Sequence, residues 1–178
     1  MHTITVKDKI FSKFITASEL DNAIAKIAAS MDKDLAGKDP LFLIVLNGAF
    51  MFAADLVKKL HFPCELSFIK LSSYSGTCSS NKVRELIGLN EDLTGRTVVV
   101  IEDIIDTGIT LGDLMEIVKS KNVVEVKLAA LLFKPQAFWK SYPIDYVGLE
   151  IPNDFIVGYG LDYDGYGRNY PDIYKIVE

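Results

Sequence analysis

Three short apolar runs, LFLIVL at 41–46, VVVI at 98–101 and LAALLF at 128–133, constrain the fold more than any other feature of the chain. Runs of this length without polar alternation are strands covered on both faces, as in a parallel sheet between helical layers. The first is followed by the Asn47-Gly48 break and a helical stretch from about 50 to 60; strands are expected at 65–71 and, more weakly, at 83–87. TVVVI at 97–101 then leads through EDIIDTGITL into a helix carrying Leu111, Leu114, Met115, Ile117 and Val118. A strand at about 125–133 and an apolar segment near 145–149 precede a Tyr- and Gly-rich tail. Upstream, Leu20, Ile24, Ile27, Ala28, Met31 and Leu35 share one helical face, with a Thr16/Glu19 capping box at its start and Gly37 at its end. The alternation predicts an α/β fold, a mostly parallel twisted sheet flanked by helices, with ligands beyond the carboxyl ends of the strands.

A chain of 178 residues, 49% of them hydrophobic, can bury roughly 70% of its unfolded surface without disulfide or metal staples. One domain over 1–178 is expected. The apolar runs fall well short of the roughly 18 to 20 residues that span a bilayer, so no membrane partner is expected. A net charge of -5 without a Lys/Arg block argues against nucleic acid. Two cysteines, Cys64 and Cys78, and no leader pattern point to a reducing cytoplasm. His2 and His61 leave no material for a Ser/His/Asp triad or a His-rich metal site. Trp139, His61 and both cysteines are read as packing or surface residues.

The segment that carries chemistry is VVVIEDIIDTGIT at 98–110. A buried strand ends in Glu102 and Asp103, then comes Asp106, then a Thr-Gly-x-Thr turn opening a helix. Main-chain N–H groups of 107–110, at the positive end of the helix dipole, form a cradle for a phosphate monoester, and Gly108 lets the backbone approach its oxygens. Carboxylates repel phosphate, so Glu102 and Asp103 are expected to serve another part of the ligand, with vicinal ribose hydroxyls as natural partners. Asp106-Thr107 by itself would be a helix cap; the whole strand-acid-acid-turn-helix series favours function. Neither G-x-G-x-x-G nor G-x-x-x-x-G-K-[ST] occurs, which disfavours Rossmann dehydrogenases and P-loop ATPases.

VVVIEDIIDTGIT resembles the phosphoribosyl pyrophosphate motif of type I phosphoribosyltransferases, and its Glu-Asp-x-x-Asp form is similar to the 6-oxopurine group, which includes the hypoxanthine-guanine phosphoribosyltransferases. The resemblance continues through LNGAFMFAADL at 46–56, LSSYSG at 71–76, Lys134, DYVGLEIPNDFIVGYGLDY at 145–163 and Arg168. It implies a parallel-sheet core with a small hood, here built from the terminal segments. It also implies magnesium-dependent transfer of 5-phosphoribosyl from phosphoribosyl pyrophosphate to hypoxanthine, with guanine as a second base, in purine salvage.

Residue by residue, the resemblance gives Thr107, Gly108, Ile109 and Thr110 the ribose 5-phosphate. Glu102 and Asp103 take the ribose hydroxyls directly or through magnesium, and Asp106 accepts the N7 proton of the base. Leu46, Asn47 and Gly48 match the pyrophosphate loop, whose main-chain N–H groups the family presents through a cis peptide. Asp162 matches a magnesium ligand near pyrophosphate and base, and Arg168 the cation that neutralises pyrophosphate. Phe155, with Ile156 beside it, matches the base-stacking aromatic, and Lys134 the donor to the purine 6-oxo group. Ser73 and Tyr74 would belong to a lid over 73–82. Asn47 and Ile109 stand where many relatives carry basic residues, leaving main-chain contacts to hold the phosphates. A homodimer or homotetramer is implied, and the tyrosines at 159, 163, 166, 170 and 174 are read as hood and subunit packing. Two other readings stand beside it: a regulatory homologue controlling nucleic acid, which would need a basic face, and a pyrimidine or xanthine phosphoribosyltransferase, against which Lys134 and IPNDFIVGYGLD speak.

Overall fold

The structure, a computed structural model, describes residues 2–72, 84–89, 91–140 and 142–177. In chain order it contains β1 (Thr3–Val6), β2 (Lys9–Ile15), α1 (Ala17–Leu35), β3 (Leu41–Leu46), α2 (Phe50–Val57), β4 (Glu65–Ser72) and β5 (Arg84–Ile87). Then follow β6 (Thr97–Ile105), α3 (Ile109–Lys119), β7 (Glu125–Phe133), β8 (Tyr146–Glu150), β9 (Ile156–Val157) and β10 (Ile173–Ile176). The large sheet has the order β5-β4-β3-β6-β7-β8. Its strands β4, β3, β6, β7 and β8 run parallel, and β5 joins antiparallel at one edge.

Alternation along the central strands sorts their side chains between two cores. Phe42, Ile44, Val99, Ile101, Ala129 and Leu131 pack with α1 and α2, while Leu41, Leu43, Val98, Val100, Leu128 and Ala130 pack with α3. Both faces are therefore covered, which is why these runs lack polar interruption. The Thr16/Glu19 capping box is formed at the start of α1. Helix α2 is shorter than its apolar pattern: beyond Val57 the chain tightens into bonds from Lys59 N to Leu56 O (2.9 Å) and Leu60 N to Val57 O (3.4 Å).

β6 runs four residues past the predicted 101, because its ladder with β7 continues through Glu102↔Ala130, Ile104↔Leu132 and Ile105↔Phe133. Glu102 and Asp103 thus lie within the strand rather than at its end. The chain ends form a second sheet, β1-β2-β10-β9, antiparallel throughout. Its core is Val6, Phe11, Val157 and Tyr174.

Candidate active site

The carboxyl ends of β3, β6 and β7 converge where the sheet geometry places ligands. At the end of β3 the Leu46–Asn47 peptide is cis, and Gly48 follows. A Cβ on Gly48 would lie 1.5 Å from Asp103 Oδ2, so only glycine lets the β6 carboxylate rest against this loop. Adjacent strand residues point to opposite faces, so Glu102 and Asp103 serve different sides of the sheet. Asp103 turns to the Gly48 loop. Glu102 turns to a cavity of 220 Å³ whose lining includes Ile104, Asp106, Thr107, Gly108 and Leu111.

Both carboxyls are enclosed. Glu102 Oε2 is buried without a hydrogen-bond partner, and burial, reinforced by Asp103, raises the Glu102 pKa well above the ordinary carboxyl range. Asp103 is pushed up to about 6 by burial, against the opposing pull of the Ile104 N–H, which donates to Oδ1 at 2.8 Å, and of Arg168. Arg168 reaches this corner from the tail, donating to Gly160 O (2.6 Å) and pairing with Asp162 at 2.7 Å. Asp162 also accepts from Gly165 N at 2.6 Å. Gly160 (φ +96) itself sits on the Gly48 carbonyl, which a Cβ there would approach to 2.1 Å, so the tail locks onto the β3 loop.

The turn into α3 has Gly108 as its left-handed N-cap (φ 76) and no side-chain capping bond. Asp106 therefore is not the helix cap; its Oδ1 accepts from the neighbouring Thr107 N–H. The cradle expected at 107–110 lies at this turn and the start of α3, where Ile109 is 51% exposed and Thr110 follows. Tyr142, which the sequence did not single out, donates from its hydroxyl to Gly108 O at 2.8 Å, and its pKa is raised to about 12 by burial and by Glu102. Phe138 packs against the same glycine.

Lys134, just past β7, is 8% exposed rather than a solvated turn residue. Its N–H donates to Ile105 O (2.9 Å) and its Nζ to Asn153 Oδ1 (3.3 Å). Phe155 is 47% exposed, so it is not core; its ring lies 6.2 Å from that of Phe11 and edge-on to Tyr163 at 5.9 Å. Ile156 is buried in β9. Lys134 thus follows a strand of the large sheet and Phe155 precedes one of the small sheet. Ser73 and Tyr74 lie outside the described residues. The sequence also missed Phe138, Asn153 and Gly160, whose parts arise from approach in space; only the glycine spacing of VGYG hinted at the last.

Among the described residues, no three His, Cys, Asp or Glu side chains converge as a metal cage. Magnesium ordinarily uses one or two carboxylates plus substrate phosphates, so the donor set at this corner fits it without a cage.

A family model described as the phosphoribosyl transferase domain matches residues 16–164. The hypoxanthine-guanine phosphoribosyltransferase of Streptococcus pneumoniae (strain ATCC BAA-255 / R6) is 39% identical over 174 residues, which is 97% of both chains. The crystal structure of a Staphylococcus aureus hypoxanthine phosphoribosyltransferase superposes with a TM-score of 0.88 at 33% identity, covering 93% of this chain and 91% of that one. A Bacillus anthracis hypoxanthine-guanine phosphoribosyltransferase gives 0.87 at 34% identity, covering 96% and 99%. With the parallel sheet, the turn after β6 and these likenesses together, the chain belongs to the phosphoribosyltransferase family, in its hypoxanthine-guanine group.

Proposed function

We propose that the chain transfers the 5-phosphoribosyl group of phosphoribosyl pyrophosphate to hypoxanthine and guanine, giving the nucleoside 5-monophosphates and pyrophosphate in purine salvage. The observation that carries this reading is the cavity in which the unpartnered Glu102 carboxyl and the Gly108 turn face one space. A ribose phosphate satisfies both: its hydroxyls donate to the acid, and its phosphate accepts from the amides at the start of α3.

N9 of the base forms a bond to ribose C1 as the bond to pyrophosphate breaks, and the proton on N7 passes to Asp106. Amides after the Leu46–Asn47 peptide and the Arg168 guanidinium stabilise the departing pyrophosphate. Asp103 and Asp162 would hold magnesium, with Glu102 at the ribose, and the ion would supply charge neutralisation to the leaving group. Lys134 donates to the purine 6-oxo group, and Phe155 with Ile156 borders the base. The β1-β2-β10-β9 sheet serves as the hood of a single unit over 1–178. The reading also includes a cytoplasmic homo-oligomer, consistent with Cys64 as a free thiol and with Leu66 and Phe68 exposed two apart on β4.

Purine-dependent release of pyrophosphate with hypoxanthine, guanine, xanthine and adenine tests this. Hypoxanthine is expected to turn over efficiently and adenine poorly, since its 6-amino donors would face the Lys134 ammonium. In the same assay Asp106→Asn is expected to lose about 10² to 10⁴ in turnover with little change in donor affinity. Adenine used as well as hypoxanthine, or full activity of Asp106→Asn, would remove the corresponding residue from the mechanism.

A further inference from the structure

The turn that meets the phosphate, Asp106 to Thr110, carries no basic side chain and is flanked by carboxylates. A cation from elsewhere in the fold would add to the main-chain amides that hold a phosphate dianion there. The segment after β7 folds back over this turn: Phe138 and the Tyr142 hydroxyl close on Gly108, and Lys140 closes on Gly112, one helical turn further on the same face. Lys140 Cε and Nζ lie 3.8 and 3.9 Å from where a Cβ on Gly112 would stand. Gly112 closes the first turn of α3, so this ammonium lies beside that turn, on the helix face that Gly108 also occupies. Gly112 leaves the lysine stem its room.

Lys140 is also uncommitted. Lys7, Lys13, Lys38, Lys58, Lys59, Lys127 and Lys175 each pair with a carboxylate, whereas among the described residues Lys140 has no ion pair. Its ammonium rests 4.3 Å over the ring of Trp139, the one tryptophan of the chain, which is 65% exposed. An exposed cation–π contact is weak and readily exchanged for a phosphate.

We propose that Lys140 is a phosphate-binding residue, leaving the Trp139 indole to neutralise the 5-phosphate held at the start of α3. The proposal rests on the assignment of that turn to the ribose phosphate. Binding of inosine 5-monophosphate and of inosine is compared by calorimetry in the full chain and in Lys140→Gln, Lys140→Arg and, as a charge control at the far end of the helix, Lys119→Gln. Lys140→Gln is expected to weaken the nucleotide about tenfold and leave inosine unchanged, the size of one partly exposed charge-assisted contact. Lys140→Arg and Lys119→Gln should stay within about twofold. Trp139 emission should change as the wild type saturates with nucleotide, and should ignore it in Lys140→Gln. Equal nucleotide affinity in wild type and Lys140→Gln, or equal losses for inosine and nucleotide, overturns the role of Lys140 and leaves the turn assignment standing. Wild-type affinity no greater for nucleotide than for inosine overturns both. Emission indifferent to nucleotide in the wild type overturns the movement off the indole.

Discussion

Glu102 and Asp103, both raised by burial, make the free protein's stability fall as pH rises. The Asp103 carboxyl stands at about 6 in the fold against an ordinary 3.8. Below 3.8 both folded and unfolded chains hold the proton, and the enclosure costs nothing. As pH rises from 3.8 toward 6 the unfolded chain releases its proton first, so the fold is progressively disfavoured. Asp172, Glu19 and Asp32 have lowered values and contribute in the opposite sense, losing stability only as pH falls below 3.8 or, for Glu19, 4.5. The two windows are therefore separable. Thermal melts of wild type and Asp103→Asn between pH 4 and 8 are expected to diverge above pH 4, the variant being the more stable at pH 7.5 and nearly inactive. Parallel melting curves would show that the carboxyl is not enclosed. Glu102, Asp103 and Asp106 were legible because acids at the end of an apolar run are chemically conspicuous. That Asp103 lies on Gly48 was not, since nothing local couples positions 55 apart.

At the scale of elements, β10 holds the hood together. It pairs with β2 on one side and β9 on the other, and its neighbourhood includes the bond from Ile176 N to Phe155 O at 3.0 Å. Lys175 stands opposite both Ser12 and Ile156. A proline there removes a donor from a central strand, which sheets tolerate poorly. Lys175→Pro is expected to speed amide exchange across β2, β9 and β10 while the six-stranded sheet keeps its protection, and to raise the KM for the base at least tenfold. Uniform loss of protection would mean that the two sheets unfold as one. Strands β3, β6 and β7 and helix α1 were legible from periodicity and capping. The β1-β2 hairpin was not, because its short strands acquire a core only when β10, more than 150 residues away, is laid beside them.

For the whole molecule, the exposed Leu66 and Phe68 lie on the face that α2 covers over β3 and leaves open over β4, in register with Phe42 and Ile44. A second copy is the expected cover, since closed two-fold pairs are the commonest assembly. Sedimentation at low micromolar concentration should give at least twice 19.8 kDa, and Phe68→Lys should shift it toward one chain. A wild-type protein sedimenting only as one chain would count against the assembly. Finally, β6 divides its two acids between opposite faces of the sheet, Asp103 to the Gly48 loop and Glu102 to the cavity before α3. Between Thr97 and Glu102 the strand accordingly accepts exchanges of one apolar residue for another far more readily than any change in its length. One amino acid inserted or deleted would send each acid to the other's compartment and invert every core contact with it.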